Sequence, residues 1–174
     1  MAETLRGEEA ALVAVQSALA ERPGVLAGAR VLSQFGEHSI GWVAVAALGA
    51  LLQPQRRRAW LAVGVGAFLA HAAAVVIKRV VKRERPQHPA VAVNVGTPSR
   101  LSFPSAHATS TTAASILLAR TTGLPLPAVL VPPMALSRLV LGVHYPSDVL
   151  TGIAVGAVVA KTVGAVADRV GGGS

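Results

Sequence analysis

The sequence contains no cysteine and few aromatic or acidic residues, and these absences narrow the classes of protein to which it can belong. Without cysteine, disulfide bonds, thiol catalysis and thiolate metal sites are excluded. Aromatic residues make up 3% of the chain, so its apolar character comes from small and aliphatic side chains. Only 8 Asp and Glu accompany 16 Lys and Arg, which leaves few ligands for a carboxylate metal site.

The chain is instead rich in apolar residues and positive charge. Hydrophobic residues make up 52% of the 174 positions, and Gly is frequent. This composition is typical of helices that pack closely in a bilayer. The net charge of +8 suits nucleic acid, anionic lipid or a phosphate site. Because long apolar runs accompany the charge, we expect a multi-pass protein of the cell membrane that binds no nucleic acid.

Five apolar segments separated by polar turns predict an all-α membrane bundle with about five transmembrane helices. A helix needs about 20 residues to span the bilayer, so the first segment is short. The third segment is rich in Ser and Thr, and it needs protein or water neighbours rather than lipid. The segments are predicted at Ile40–Leu52, Ala59–Ile77, Ser105–Ala119, Leu126–Val143 and Pro146–Ala167.

The two ends of the chain differ from this bundle. Residues 1–38 contain two apolar stretches too short to span a membrane, and we interpret them as amphipathic helices at the membrane interface. A frayed N-terminus is the alternative for this part. Residues 39–168 form the predicted membrane domain. Residues 169–174 end in Gly-Gly-Gly-Ser and are predicted to be a flexible tail.

If five helices alternate across the membrane, most of the cations gather on one side of it. That side receives residues 1–38, the loop 78–104 and the turn around His144. The excess of Lys and Arg there nearly disappears when the cations that suit a phosphate site are set aside. The positive-inside rule therefore leaves open which side of the membrane the site faces.

The spacing of these cations and histidines predicts an anion site. Lys78 and Arg85 are seven residues apart, so both face one point if the second membrane helix continues to Arg85. The third helix begins near Ser105, and free backbone N–H groups at a helix N-terminus favour an anion. Arg138 ends an apolar run, and a guanidinium donates two hydrogen bonds to a phosphate at once.

An activated nucleophile is predicted where His144 stands four residues before Asp148. An Asp beside a His accepts the ring N–H, which fixes the tautomer and makes the other ring nitrogen a better nucleophile. His71 lies two turns before Lys78 on the same face and is interpreted as a buried packing residue, with a supporting role beside the site as the alternative. His38 matches no motif and is interpreted as solvated.

Three motifs resemble those of the type-2 phosphatidic acid phosphatase superfamily, which also includes the vanadium haloperoxidases. The first motif, Lys-x6-Arg-Pro, corresponds to residues 78–86. The second, Pro-Ser-Gly-His, corresponds to residues 104–107, with Ala106 in place of Gly. The third, Ser-Arg-x5-His-x3-Asp, corresponds to residues 137–148. The resemblance covers about residues 39–168.

The resemblance implies a metal-free mechanism that passes through a phosphohistidine. In this mechanism His144 attacks phosphorus, Asp148 orients it, and His107 protonates the leaving alcohol and then activates water. The groups implied to hold the phosphate are Lys78, Arg85, Ser105, Ala106 and Arg138. Apart from the resemblance, two interpretations stand open for the neighbouring cations Arg79, Lys82 and Arg83, namely contact with a lipid headgroup and solvated surface charge. No cofactor is expected.

Within the family, the size and general character of the chain resemble those of actinobacterial enzymes that act on polyprenyl-linked sugar phosphates. The expected substrate is a decaprenyl-linked 5-phosphoribose, a precursor of cell-wall arabinan. The motifs leave open undecaprenyl pyrophosphate, phosphatidic acid and phosphatidylglycerol phosphate as substrates. A non-catalytic protein that binds lipid phosphates, or haloperoxidase chemistry with vanadate, is a further alternative. The small Ala and Gly faces are compatible with a homo-oligomer.

Overall fold

The protein, seen in a computed structural model that describes residues 7–171, is a bundle of seven α-helices. Two short 3-10 turns, Glu37–Ser39 and Pro54–Arg56, and one long loop between α4 and α5 connect parts of it. The helices are α1 (Gly7–Leu19), α2 (Val25–Gly36), α3 (Ile40–Leu52), α4 (Arg57–Val81), α5 (Ala106–Thr122), α6 (Leu126–Val140) and α7 (Pro146–Gly171). The prediction of an all-α bundle is confirmed, and α3 to α7 correspond to the five predicted segments.

Parts of the predicted N-terminal segment and of the predicted tail lie outside the described residues. Residues 1–6 and 172–174 lie beyond the described residues. Helix α7 reaches Gly171, so residues 169–171 of the predicted tail continue the last helix.

Three segments are long and apolar enough to cross a bilayer. They are Val25–Leu52, Pro54–Val81 and Pro146–Val170. Many large aliphatic side chains on these segments are exposed, among them Leu51 and Val80. A protein surface of this kind is suited to lipid, so the chain is an integral membrane protein.

Helix α5 lies at the centre of the bundle and packs against α4, α6 and α7. Eleven of its 17 residues are buried, and most of its Ser and Thr side chains are among them. The hydroxyl of Thr109 donates to the carbonyl of Ser105 at 2.7 Å, and the Trp42 indole donates to Thr111 at 3.1 Å. The prediction that this helix needs protein neighbours is therefore confirmed.

Two glycines of α7 allow that helix to approach α5 closely. A Cβ atom at Gly152 would lie 2.7 Å from the carbonyl oxygen of Ser105, and one at Gly156 would collide with the carbonyl of Thr109. Small residues four apart commonly let membrane helices come together in this way. The close contact brings the start of α7 against the start of α5, where the predicted site residues are.

Replacing Gly156 by Ala is expected to lower the free energy of unfolding by about 1–3 kcal/mol, because the added methyl group forces α7 away from α5. Thermal unfolding in detergent, followed by circular dichroism, measures the change. Gly28→Ala is the matched control, since a Cβ at Gly28 meets no atom within 4 Å. If both variants unfold at the wild-type temperature, the contact between α5 and α7 does not limit stability.

Helix α4 continues past the predicted segment Ala59–Ile77 but stops before Arg85. Lys82 adopts a left-handed backbone conformation (φ 54°), and the helix ends at Val81. The condition under which one helix would carry both Lys78 and Arg85 is therefore not met. Arg85 instead follows Glu84, which pairs with Leu101 across an isolated antiparallel bridge.

Helix α2 diverges from α4, and this divergence opens a gap in the bundle. Helix α3 runs antiparallel to the first half of α4, with Trp42 and Ala46 in one apolar cluster with Val63 and Ala67. At the turn Glu37–Ser39 the chain changes direction, and α2 packs on α6. A cavity therefore lies between α2 and the second half of α4.

Candidate active site

A cavity of about 380 Å³ occupies the gap between α2 and α4. It is bounded by α2, α4, the start of α5 and the loop before α5. Six of the eight residues predicted for catalysis or phosphate binding line it, namely Lys78, Arg85, Ala106, His107, Arg138 and His144. The three motifs, which span 71 positions of the sequence from Lys78 to Asp148, therefore meet at one place.

His144 lies in the turn between α6 and α7, and its ring is almost fully buried. Its Nε2 atom is 3.3 Å from Nη1 of Arg85, and its Nδ1 atom is 3.5 Å from Oδ2 of Asp148. With the proton on Nδ1, facing the carboxylate, the lone pair of Nε2 points toward Arg85. An anion bound by Arg85 is therefore within reach of this nitrogen.

The surroundings of His144 keep its ring neutral. Burial, followed by the positive charges of Arg85, Lys78 and Arg138, holds the pKa of His144 well below its ordinary value. A neutral imidazole has a free lone pair, which a nucleophile requires. The same cations that suit a phosphate thus favour a neutral His144 ring with a free lone pair.

Asp148 is fully buried and is fixed by groups other than His144. Its Oδ2 accepts the backbone N–H of Tyr145 at 2.9 Å, and its Oδ1 accepts from Nη1 of Arg83 at 3.0 Å. Arg83 also pairs with Glu8 of α1 at 2.6 Å. The carboxylate is therefore held in place beside Nδ1 of His144, and Arg83 is a positioning residue for it.

Lys78, at the end of α4, holds the loop that leads into α5. Its Nζ atom donates to the carbonyl oxygens of Leu101 at 3.1 Å and Ser102 at 2.7 Å. An ammonium group has three N–H donors, so one remains for a ligand. Lys78 is only 9% exposed, and its charge therefore acts in a poorly solvated place.

Arg85 reaches the cavity from the loop after α4. Its Nε donates to the carbonyl of Ser99 at 2.8 Å, and its Nη1 donates to the carbonyl of Val143 at 2.6 Å. These bonds fix the plane of the guanidinium beside His144. The hydrogen bond to Val143 also connects this loop to the turn that carries His144.

Arg138, near the end of α6, is a buried cation with an unused donor. Its Nη1 donates to the hydroxyl of Ser33 at 3.1 Å and its Nε donates to that of Ser137 at 3.1 Å. Its Nη2 is buried and has no partner among the described residues. A buried guanidinium N–H without a partner is unfavourable, and an anionic ligand in the cavity would satisfy it.

His107, in the first turn of α5, is packed against the end of α2. Its Nε2 is 2.9 Å from the carbonyl oxygen of Ser33, and a Cβ added to Gly36 would lie 2.6 Å from its ring. Because a carbonyl only accepts, Nε2 is the protonated nitrogen in this contact. Glu37 lies nearby, with its Oε2 atom 4.0 Å from Nε2.

Ser105 and Ala106 start α5, but they face different surroundings. Ser105 is the N-cap residue, and its hydroxyl accepts from the N–H of Ala108 at 3.4 Å. It is fully buried and does not line the cavity, so its side chain serves the helix rather than an open site. Ala106 does line the cavity, as predicted.

The three residues assigned to a lipid headgroup are found in different places. Arg79 is exposed and lines the cavity. Lys82 is exposed at the end of α4 and does not line it. Arg83 is also outside this cavity, because its guanidinium is held by acceptors in α1 and α7. A headgroup contact by Arg83 therefore stays a prediction that this cavity does not support.

Sequence reasoning missed the contribution of the N-terminal half to the cavity. Ser33 and Glu37 come from α2 and the turn after it, and His71 comes from the middle of α4. The interpretation of His71 as a packing residue is also corrected, since it is half-buried and lines the cavity. The only sequence feature that indicated a position near the site for any of these residues was the spacing of His71, two helical turns before Lys78.

In residues 7–171 no group of three or more His, Asp or Glu side chains is arranged to hold a metal ion.

The chain is similar to known phosphatases in sequence. The profile of the PAP2 superfamily matches residues 59–170. A Mycolicibacterium smegmatis protein described as decaprenylphosphoryl-5-phosphoribose phosphatase is 80% identical over 152 residues, which cover 87% of this chain and 84% of that protein. A Mycobacterium tuberculosis protein with the same description is 70% identical over 168 residues, which cover 97% of this chain and 93% of the relative.

The fold is also similar to that of two solved structures. A transmembrane PAP2-type phosphatidylglycerolphosphate phosphatase from Bacillus subtilis superimposes with a TM-score of 0.73 at 20% identity, over 92% of this chain and 86% of that one. Aquifex aeolicus LpxE superimposes with a TM-score of 0.65 at 18% identity, over 92% and 96% of the two chains. At these identities the likeness concerns the fold.

Proposed function

The chain belongs to the PAP2 superfamily of phosphatases, and we propose that it removes the 5-phosphate of decaprenylphosphoryl-5-phosphoribose in the cell membrane. The observation that carries the proposal is the convergence of three cations, the buried Lys78 and Arg138 and the half-buried Arg85, on the ring of His144 in a cavity of a membrane bundle. The substrate class comes from the 70–80% identical relatives. The product would be decaprenylphosphoryl-ribose, a precursor for cell-wall arabinan.

The first chemical step is proposed to transfer the phosphoryl group to His144. Lys78, Arg85 and Arg138 bind the non-bridging oxygens, on which negative charge is spread in the transition state. The Nε2 lone pair of His144 attacks phosphorus, and the bond from phosphorus to O5 of the ribose breaks. His107, protonated on both ring nitrogens when the substrate is bound, donates its Nδ1 proton to the departing O5, while its Nε2–H stays bonded to the carbonyl of Ser33. Asp148 stabilises the positive charge that develops on the His144 ring.

The second step is proposed to release phosphate by hydrolysis. His107, now neutral, takes a proton from a water molecule as that water attacks the phosphohistidine. The P–N bond breaks, the electron pair returns to Nε2 of His144, and inorganic phosphate leaves. Both histidines then have their starting protonation, and no electron acceptor or other reactant is needed.

The position of the cavity, beside the apolar outer surface of the bundle, is suited to a substrate with a lipid chain. Arg79 lies at the cavity and is exposed, so it can pair with the phosphodiester that joins ribose to decaprenol. The apolar faces beside it are suited to a prenyl chain in the bilayer. We propose that residues 39–168 form the phosphatase domain, together with the part of α2 that reaches the cavity.

Phosphate release by purified protein in mixed micelles containing EDTA tests the proposal. We expect kcat/KM for decaprenylphosphoryl-5-phosphoribose to exceed that for phosphatidic acid, undecaprenyl pyrophosphate and phosphatidylglycerol phosphate by about 10²-fold or more. Adding Mg²⁺ is expected to leave the rate unchanged, because three fixed cations already neutralise the phosphate. The four lipids are compared at equal mole fraction in the same detergent.

Two results would contradict this proposal in different ways. If phosphatidic acid or a prenyl pyrophosphate is the fastest substrate, the chemistry stands and the substrate is wrong. If EDTA abolishes activity that Mg²⁺ restores, a metal takes part and the metal-free mechanism is wrong.

A further inference from the structure

The cavity has a second polar end, which the proposed phosphate chemistry does not use. Glu37 and His38 line it from the turn between α2 and α3, and His71 lines it from α4. His71 stands seven residues before Lys78, so about 10 Å separates the two residues along the helix axis. This length leaves room for the phosphate at one end and for the group attached to it at the other.

Glu37 lies beside the ring that must contact the leaving alcohol. In the proposed mechanism Nδ1 of His107 gives its proton to the departing oxygen, because Nε2 donates to the carbonyl of Ser33. The Oε2 atom of Glu37 is 4.0 Å from Nε2 of the same ring. The departing oxygen and the Glu37 carboxylate are thus neighbours of one imidazole, and a sugar that continues from the scissile bond can extend past this ring toward Glu37.

A carboxylate at this place favours an alcohol that carries free hydroxyl groups. The Glu37 side chain is 39% exposed, and a bound substrate would remove much of that contact with water. Covering it with acyl or prenyl groups would remove water from a charged group and supply no hydrogen-bond donor in its place. A sugar supplies O–H donors instead, and O–H bonds to a carboxylate are among the strong hydrogen bonds.

His71 offers a second polar atom that lacks a partner. Its Nδ1 is buried and makes no hydrogen bond within the described part of the chain. An imidazole nitrogen donates to a hydroxyl or accepts from one, according to its tautomer. The His71 ring is 5.6 Å from that of His38, whose Nδ1 is 3.3 Å from Glu37. The Glu37 carboxylate and the unpaired Nδ1 of His71 thus belong to one cluster of polar side chains.

The backbone that carries Glu37 is held in an unusual conformation. His38 and Ser39 both have positive φ, 48° and 57°, which is uncommon for residues other than Gly. Ser39 is fully buried, and its hydroxyl donates to the carbonyl of His38 at 2.6 Å. Strained residues of this kind persist mainly at functional sites. Here the strained turn directs α2 away from α4 and places Glu37 on the cavity wall.

We propose that Glu37 and His71 form a subsite for the hydroxyl groups of the sugar that bears the scissile phosphate. The subsite selects a polyhydroxylated leaving alcohol over the diacylated glycerol of phosphatidic acid, which has no free hydroxyl. This inference rests on the function proposed above, and it assigns substrate choice to residues outside the three motifs.

A double comparison of enzyme and substrate tests the subsite. The substrates are decaprenylphosphoryl-5-phosphoribose and its 2,3-dideoxy analogue, and the enzymes are wild type, Glu37→Leu and His71→Leu. For the wild type, removing the hydroxyls is expected to lower kcat/KM about 10- to 100-fold. Glu37→Leu is expected to lose a similar factor on the ribose substrate and to be nearly insensitive to the loss of the hydroxyls. His71→Leu is expected to show a smaller change of the same kind.

Two further variants keep this test decisive. Glu37→Gln, which keeps the shape and one acceptor oxygen, is expected to give an intermediate loss and to unfold at the wild-type temperature. Glu21→Leu, at an exposed position in the turn between α1 and α2, is the matched control and is expected to behave as wild type with both substrates.

The results distinguish a failure of the proposed function from a failure of the sugar subsite. If the wild type does not hydrolyse the ribose lipid, the proposed function fails, and the subsite fails with it. If the wild type is active but Glu37→Leu loses equally on both substrates, Glu37 acts through His107 rather than on the sugar. If Glu37→Leu loses nothing on the ribose lipid, the subsite is refuted while the proposed function stands.

Discussion

Replacing His144 by Ala is expected to lower the rate of phosphate release by about 10⁴- to 10⁶-fold, the range found when an enzyme loses its nucleophile. The ring is buried and held between Arg85 and Asp148, so no other described group reaches the same position. Rapid quenching of the wild type with ³²P-labelled substrate is expected to yield an acid-labile, base-stable phosphoprotein. The His144→Ala protein is expected to yield none.

His88→Ala is the matched control for this experiment. His88 stands in the loop between α4 and α5 but does not line the catalytic cavity. We expect it to retain wild-type activity and labelling. A His144→Ala protein that still turns over, or one that still becomes labelled, would remove the phosphohistidine from the mechanism.

Replacing Arg138 by Met is expected to separate activity from stability. Losing the cation should lower kcat/KM about 10³- to 10⁵-fold, as removal of an arginine does in other phosphoryl transfers. Arg138 is only 2% exposed, and its Nη2 has no partner in the described residues. Replacing a buried, incompletely paired charge by an apolar side chain is often neutral or stabilising. The substrate-free variant should therefore unfold at the wild-type temperature or above it.

Phosphate-release kinetics and thermal unfolding in detergent measure the two effects on Arg138→Met. Arg120→Met is the matched control, because Arg120 forms an exposed ion pair with Asp168 away from the cavity. It is expected to keep the wild-type kcat/KM. A marked fall in the unfolding temperature of Arg138→Met would show that this cation holds the fold together, and the loss of activity could then not be assigned to phosphate binding.

The sequence predicted the phosphate-binding end of the cavity well, because its residues belong to short local patterns. Asp148 lies in the first turn of α7, four residues after His144, and His107 lies in the first turn of α5, two residues after the N-cap Ser105. Residues so close in sequence at the start of a helix stay near each other whatever the rest of the bundle does. The roles that the family resemblance implies for these residues stay predictions until the variants are measured.

Two features of the site could not be predicted from nearby residues in the sequence. Arg85 reaches Val143 and His144 although α4 has already ended at Val81, and no Gly or Pro in residues 79–84 marks that end. Ser33 contacts His107 and Arg138 across 74 and 105 positions of the chain. Contacts so distant in sequence depend on how α2 packs on α6, which no pattern within either helix predicts.

Because α2 turns away from α4, the two ends of one cavity are built by different parts of the chain. The phosphate end uses residues 78–148, which carry the motifs of the superfamily, whereas the other end uses Glu37 and His71. For inhibitor chemistry this division has a practical meaning. A compound with only a phosphate mimic would bind any enzyme that shares the motifs. A compound that joins the mimic to a polyol of matching length would gain its selectivity from the second end.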